Sequence, residues 1–398
     1  MRFEANTFPD ENLRSSAHAE SLSKKQPTVT ETPFRWPLTD ILAKRTSGSV
    51  QQVNSTKGAH VPKFQPQVVA ITGAFGFLGR RVIYQLEDDP QIKKVIAIDV
   101  RTGLELARGG QESSDSAAYL GAHHKVSAFQ MDLSEAGTDR ELAEIFEREE
   151  VDAICHLAFL SNPTHQLEFA HELETIGTMY ILTAAKSAGV KRLVSLSSTM
   201  IYGAHKDNPV LLAEDHDLRG HHSSRFIQDK IDADQQVLRF NEQQENTQCA
   251  VLRLGAILGG SQTRNFWTRY LTRPVVATIM GYDPMFQFLH SSDAVRAITT
   301  ALYATEAGAF NVVGTGALPL SNIIEGIGRR PLPMPSGLAR SMLNKLWNAQ
   351  LIEMPARFMD YLQWPWLASG TKFETEMGFR PAFDISALIE KVKEESFQ

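Results

Sequence analysis

Between residues 66 and 200, apolar runs of strand length alternate with stretches of helical character. The runs are Val68-Val-Ala-Ile-Thr72, Val95-Ile-Ala-Ile-Asp99, Val126-Ser-Ala-Phe-Gln-Met-Asp-Leu133, Asp152-Ala-Ile-Cys-His-Leu-Ala158 and Val190-Lys-Arg-Leu-Val-Ser-Leu-Ser197. Helical segments are predicted from near Phe77, from Thr138 to Glu150 and from about Pro163 to Ala188. This alternation predicts an α/β fold, a doubly wound parallel (Rossmann) sheet with ligands at the carboxyl ends of its strands. Residues 66–255 form the expected core, and residues 256–398 follow it as a smaller C-terminal region. Residues 1–65 are rich in Ser, Thr, Gln and Pro with isolated apolar positions, the pattern of a disordered extension. Within it, only Phe34 to Arg45 has the makings of a short docking helix.

Composition narrows the classes. A formal charge of −6 without a long basic run gives no electrostatic case for nucleic acid. The two cysteines, Cys155 and Cys249, lie in separate apolar runs and read as packing residues, so neither a disulfide framework nor a metal site is expected. No apolar run reaches spanning length and the N-terminus lacks a secretory pattern, which points to the cytoplasm.

The first strand runs into Thr72-Gly-Ala-Phe-Gly-Phe-Leu-Gly79, and the second ends at Asp99, twenty residues past Gly79. This is the order a dinucleotide-binding βαβ unit requires. Gly73 permits the tight turn, Gly76 lets backbone N–H groups approach a pyrophosphate at the positive end of the next helix, and Gly79 allows close helix–strand packing. Asp99 is placed to hold an adenosine ribose and to repel a 2′-phosphate, which favours NAD(H), although Arg101 stands two residues on. Asp132 is a candidate for the adenine side or a cap for the following helix.

With these motifs the chain resembles the extended short-chain dehydrogenase/reductase family, which includes NAD-dependent sugar epimerases and dehydratases and 3β-hydroxysteroid dehydrogenases. The resemblance rests on the glycine motif, Asp132-Leu133, His156-Leu-Ala158, Gly177-Thr178, Ser197-Ser-Thr-Met-Ile-Tyr-Gly203 and Arg253 to Gly259, and it spans about Gln67 to Lys393. It implies NAD contacts from Gly73, Phe75, Gly76, Phe77, Leu78, Gly79, Asp99, Arg101, Asp132, Leu133, Leu157, Ala158 and Lys230. It also implies that residues 256–398 are mainly a substrate-binding and capping region with elements returning to the core, Phe310-Asn-Val-Val-Gly314 as a late strand and Asp384 to Lys393 as a closing helix. A small-molecule substrate is implied as well, either a nucleotide sugar or a hydrophobic alcohol or ketone. A homodimer through the Lys230 helix and the helix preceding Gly177 follows from the same resemblance.

Family chemistry needs a Tyr and a Lys four residues apart on one helix face. The Tyr exchanges a proton with the substrate, the Lys lowers the Tyr pKa and holds the nicotinamide ribose, and Ser198 is by resemblance the serine that binds the same substrate oxygen. In Ser223-Ser-Arg-Phe-Ile-Gln-Asp-Lys230 the lysine is present, but Phe226 occupies the tyrosine position. Tyr202 does not replace it, because Tyr202 belongs to the strand end after Ser198. A second departure is Glu174, where the family commonly has Asn.

The leading expectation is therefore an atypical NAD-dependent epimerase/dehydratase-like oxidoreductase, and the alternative is a noncatalytic NAD(H)-binding scaffold or redox sensor. An active enzyme would draw its proton from elsewhere, with His221 and His222 nearest in sequence, or from substrate or water. Further on, Arg264, Arg269 and Arg273 are candidates for a phosphate or for a solvated basic face. By the same resemblance Asp293 is expected as an N-cap or a substrate-loop anchor. From Arg330 to Trp366, Trp347, Trp364, Trp366, Met342, Met354 and Met359 make an apolar segment suited to a substrate, a partner, a membrane interface or plain core packing.

Overall fold

A computed structural model of the chain describes residues 64–101, 124–220, 224–260, 265–352 and 354–396. The expectation for the N-terminal extension lies almost entirely outside these residues, as do His221, His222 and Arg264.

The sheet begins with β1 (Val68–Thr72), α1 (Phe77–Glu87), β2 (Lys94–Asp99) and β3 (Val126–Gln130), followed by α2 (Thr138–Arg148) and β4 (Ala153–His156). The helical stretch expected from Pro163 to Ala188 comprises α3 (Leu167–His171), a π-helical turn (Glu172–Ile176) and α4 (Gly177–Ser187). Next come β5 (Arg192–Ser198), a 3-10 turn (Thr199–Tyr202), α5 (Arg225–Gln243) and β6 (Gln248–Leu254). The remaining elements are β7 (Ala256–Leu258), α6 (Phe266–Leu271), β8 (Val275–Ile279), β9 (Met285–Phe286), β10 (Phe288–His290), α7 (Ser291–Tyr303) and β11 (Gly308–Val312). The chain closes with β12 (Leu318–Pro319), α8 (Leu320–Gly326), β13 (Arg330–Met334), α9 (Ser336–Asn348), a 3-10 segment (Ala356–Leu362), α10 (Thr371–Met377) and α11 (Ile385–Ser396).

Seven parallel strands in the order β11-β6-β5-β4-β1-β2-β3 form the α/β sheet anticipated from the alternation. Successive residues of a strand face opposite sides, and the core divides accordingly. Val69 and Ile71 pack with α1 and α7, whereas Ala70 packs with α2 and α4. The chain order reverses between β1 and β4, which opens the crevice where doubly wound sheets bind ligands.

A third cluster fills the C-terminal region with aromatic side chains, among them Phe266, Trp267, Phe286, Phe358, Tyr361 and Trp366. Two expectations change here. Asp293 lies inside the first turn of α7, and its carboxylate accepts from Ala382 and Phe383 N–H while His290 caps the helix. The helix α6 ends at Leu271, so it carries Arg269 but not Arg273.

Candidate functional site

The glycine turn is built by close backbone packing. Gly73 adopts φ +62°, and a Cβ there would stand 2.7 Å from the Leu157 carbonyl and 2.8 Å from Ala158 Cα. A Cβ on Gly79 would meet the Gly73 carbonyl at 2.3 Å. Gly76 N–H donates to the Gly73 carbonyl at 3.0 Å, and Gly76 caps α1 with no side chain, leaving the helix's first N–H groups without a side-chain acceptor. Such donors at the positive end of a helix fit a diphosphate.

At the end of β2, Asp99 Oδ2 accepts from Phe75 N–H at 2.9 Å, tying the acid to the turn. Its other oxygen accepts from Arg101 N–H at 3.1 Å and Arg101 Nε at 3.2 Å, so the guanidinium folds back onto the carboxylate. Arg101 Nη2 adds a longer contact to Oδ2 at 3.5 Å, so the carboxylate's roughly four acceptor positions are occupied and a ribose would take the place of the half-exposed guanidinium. Asp132 accepts from Ser134 N–H and Oγ in a local turn, and Gly137 is the residue that caps α2. Phe77, Leu78, Leu133, Leu157 and Ala158 are buried or half-buried around the crevice between β1 and β4.

Behind the turn, His156 joins β1 to α4, with Nδ1 2.7 Å from Thr72 Oγ1 and Nε2 3.1 Å from Thr178 Oγ1. Complete burial pushes its pKa down to about 3, which makes it a neutral hydrogen-bonding bridge at ordinary pH.

The nicotinamide half is where the chain departs from its pattern. Phe226 and Lys230 share one face of α5, and the ammonium lies 4.5 Å from the centre of the Phe226 ring and 5.5 Å from that of Phe159. Lys230 Nζ donates to Glu174 Oε1 at 3.0 Å, Glu174 Oε2 at 3.2 Å and the Leu160 carbonyl at 2.9 Å. The two carboxylate oxygens lie too close together to receive separate well-directed N–H groups, so Glu174 neutralises the ammonium's charge while the Leu160 carbonyl takes a further donor.

Glu174 is buried in the π-helical turn, an irregularity frequent at functional sites, and also accepts from Leu160 N–H at 3.0 Å. Burial raises its pKa, while the Lys230 charge opposes the rise. The departure at position 174 therefore pairs with the lysine. Phe226 itself is buried, with its ring 6.3 Å from Phe358, which in turn contacts Phe266 at 5.2 Å.

Ser198 ends β5 and caps the 3-10 turn, its Oγ accepting from Met200 N–H at 3.3 Å. Four residues after Ser198, at the end of that turn, Tyr202 is buried. Its hydroxyl donates to Asn311 at 2.7 Å and accepts from Arg253 at 2.9 Å, while Arg253 makes a two-pronged pair with Asp234 at 2.8 and 2.9 Å. Burial pushes the Tyr202 phenol up to about 12. The phenol is thus engaged between β6 and β11, away from the Lys230 contacts.

The sequence reading did not include Leu160, Phe159, Asp234 or Phe358. Asp234 carries a signal, standing four residues after Lys230 on the same helix, whereas the others meet the site only through tertiary folding. A hollow of about 460 Å³ opens at the β11 edge, lined by Ala213, Glu214, Asp215, Ala309 and Lys372, and contains none of the candidate residues.

Comparison with known proteins follows this geometry. Residues 69–313 match the model of the NAD dependent epimerase/dehydratase family. An uncharacterized protein of Mycobacterium tuberculosis is 31% identical over 320 residues, covering 79% of this chain and 80% of its own. Among solved structures, dTDP-glucose 4,6-dehydratase from Bacillus anthracis in complex with NAD superposes with a TM-score of 0.62 at 15% identity, covering 83% of this chain and 96% of that one. A tyrosine-to-phenylalanine variant of UDP-glucuronic acid 4-epimerase from Bacillus cereus, in complex with a fluorinated UDP-sugar and NAD, superposes with a TM-score of 0.63 at 16% identity, covering 83% and 99%.

Proposed function

Because this chain belongs to the NAD-dependent epimerase/dehydratase family, we propose that it binds NAD(H) at the turn from Gly73 to Gly79 and holds it without the phenol-mediated turnover of that family. The observation that carries the reading is the buried ion pair of Lys230 with Glu174, with the Leu160 carbonyl as a second acceptor, beside a phenylalanine. NAD, when bound, supplies a hydride acceptor. The protein's part would be to remove the substrate proton, and position 226 has no group that accepts one.

Gly73, Gly76, Gly79 and the first N–H groups of α1 would hold the diphosphate, and Asp99 the adenosine ribose, with Asp132, Leu133, Leu157 and Ala158 along the crevice. Binding in the absence of a phenol has a precedent in the Bacillus cereus variant, which carries both NAD and a nucleotide sugar after a tyrosine was replaced by phenylalanine. A nucleotide sugar is accordingly the proposed class of second ligand. A second reading, an atypical oxidoreductase, has one observation in its favour: the Glu174 carboxyl has a raised pKa and lies 3.0 Å from Lys230, so the pair can hold an exchangeable proton. The homodimer through α5 and the helix preceding Gly177, α3 with its π-helical turn, is a further proposal, with exposed Leu167 and Phe169 on α3 available to such a contact.

The test compares wild type, Phe226→Tyr and the double variant Phe226→Tyr/Glu174→Asn against a panel of nucleotide sugars. Native mass spectrometry reads the retained dinucleotide, and NADH absorbance with product analysis reads turnover. The expected result is NAD retention by all three proteins and turnover only by the double variant, in which Lys230 is released from the carboxylate. Wild-type turnover in the usual enzyme range, about 1–1000 per second, would overturn the proposal in favour of the second reading.

A further inference from the structure

The apolar segment anticipated from Arg330 to Trp366 separates into two parts. Trp366, Met359, Phe358 and Tyr361 join the core of the C-terminal region. The helix α9, by contrast, buries only Ala339, and leaves Leu338 59% and Met342 40% exposed, with Leu351 just beyond it at 71%. The strand that leads into α9 pairs with β8, and the outward side of this ribbon carries Val275 and Leu332, each about half exposed. Met280 and Tyr282 follow β8 and are also exposed, with the Tyr282 ring against Trp364 at 5.2 Å. Seven of the fourteen large exposed apolar side chains among the described residues therefore fall in two short segments joined by one strand pair.

Charge segregates with them. Residues 273–283 and 329–357 contain six Lys/Arg and two Asp/Glu, in a chain whose net charge is −6. Arg340 is engaged by Asp360 at 3.0 Å, whereas Arg273, Arg330 and Lys345 are exposed on the ribbon and helix. Among the described residues no helix is long and apolar enough to cross a membrane. Large aliphatic side chains among cations, with aromatic residues at the margin, fit the headgroup and upper acyl region of an anionic bilayer.

We propose that β8, β13 and α9 form a surface that docks this protein on anionic phospholipid membranes. Leu332, Leu338, Met342 and Leu351 enter the interface, and Arg273, Arg330 and Lys345 meet the lipid phosphates. An acidic hydrophilic protein surface would satisfy the cations but leave the exposed aliphatic side chains without an apolar phase to enter. The proposal does not rest on how the dinucleotide site works.

The test is co-sedimentation of the full chain with vesicles of phosphatidylcholine alone or with about a third phosphatidylglycerol. Binding is expected to the anionic vesicles, with loss at ~0.5 M salt, where the Debye length falls below that of physiological buffer. Leu338→Glu/Met342→Glu should abolish it. Arg330→Glu/Lys345→Glu should weaken it by at least about 5-fold per site, the factor equivalent to ~1 kcal/mol per Lys or Arg near an anionic surface. All four substitutions are at exposed positions, so thermal melting of both variants should match wild type. Sedimentation of wild type no greater than with neutral vesicles, or sedimentation of the Leu338→Glu/Met342→Glu variant equal to wild type, would overturn the proposal. So would a wild-type dimer in sedimentation velocity that dissociates in that variant while vesicles bind neither protein, a result that assigns the surface to a second copy.

Discussion

Replacing Glu174 by leucine would leave the Lys230 ammonium with the Leu160 carbonyl as its single acceptor, beside two aromatic rings. Both side chains of the pair are at least nine-tenths buried, with relative exposures of 9% and 1%. Water therefore does little to screen the loss. Removing one partner of a buried pair costs about 3–5 kcal/mol, much of it the penalty of the charge left behind. Lys230→Met should cost up to a similar amount at pH 7 by leaving the carboxylate.

That second penalty depends on pH. Without Lys230 the folded pKa of Glu174, already raised by burial, rises further. A carboxyl whose folded pKa lies above the unfolded value is relatively most stable when protonated, so the cost is complete only above the folded pKa and fades as pH falls toward the unfolded value. The double variant Glu174→Leu/Lys230→Met removes both charges and should lose only about 0–1 kcal/mol, because replacement of an entire buried pair by apolar groups is often neutral or stabilising. Urea midpoints at constant m-value give the four corners of the cycle, with an expected coupling of about 3 kcal/mol or more. Additive effects of under about 1 kcal/mol each would refute the reasoning, since they would mean that Lys230 does not depend on Glu174.

Three further outcomes follow from the turn and its supports. Gly79→Ala would place a Cβ 2.3 Å from the Gly73 carbonyl, so the turn must open, and calorimetry should show at least about a tenfold loss of NAD⁺ affinity with a fall in stability of about 1–3 kcal/mol. Asp99→Asn removes the charge that receives Arg101 and would receive a ribose. NAD⁺ affinity should drop by about tenfold or more while NADP⁺ gains relative to it, and unchanged cofactor preference would contradict the role given to Asp99. His156, held neutral with a pKa of about 3, binds no proton in the fold where the unfolded chain does below about 6.5, so its contribution is complete above that pH and diminishes below it. Between pH 7.5 and 5 it should cost wild type about 2 kcal/mol in urea titrations, and His156→Gln should flatten that slope.

The sheet and the glycine turn were legible because each depends on neighbours in sequence. Period-two burial separates Val69 and Ile71 from Ala70, and the φ of +62° at Gly73 needs only the residue that tolerates it. The substitution at Phe226 was legible for the same reason, as it lies at fixed spacing from Lys230. The consequence of Glu174 was not. Its partner stands 56 residues away, and the pairing depends on a π-helical turn inside what the sequence presents as one continuous helix. Composition also failed to divide the segment after Arg330, since Trp366 and Leu338 look equally suited to a core, and only packing shows that one is buried and the other exposed.

The two departures from the family pattern, Phe226 and Glu174, are best understood together. A lysine beside a phenol can donate to the phenol oxygen and to a ribose. With phenylalanine at position 226, the same ammonium faces the π-faces of two rings, and a cation–π contact of about 1–2 kcal/mol does not offset several kcal/mol of desolvation. Glu174 supplies the missing compensation with two oxygens and is itself held by Leu160 N–H. Restoring the phenol alone would therefore leave the lysine where it is, paired with Glu174 and its charge already neutralised. For that reason Phe226→Tyr is expected to be silent on its own and to act only when Glu174 is replaced as well.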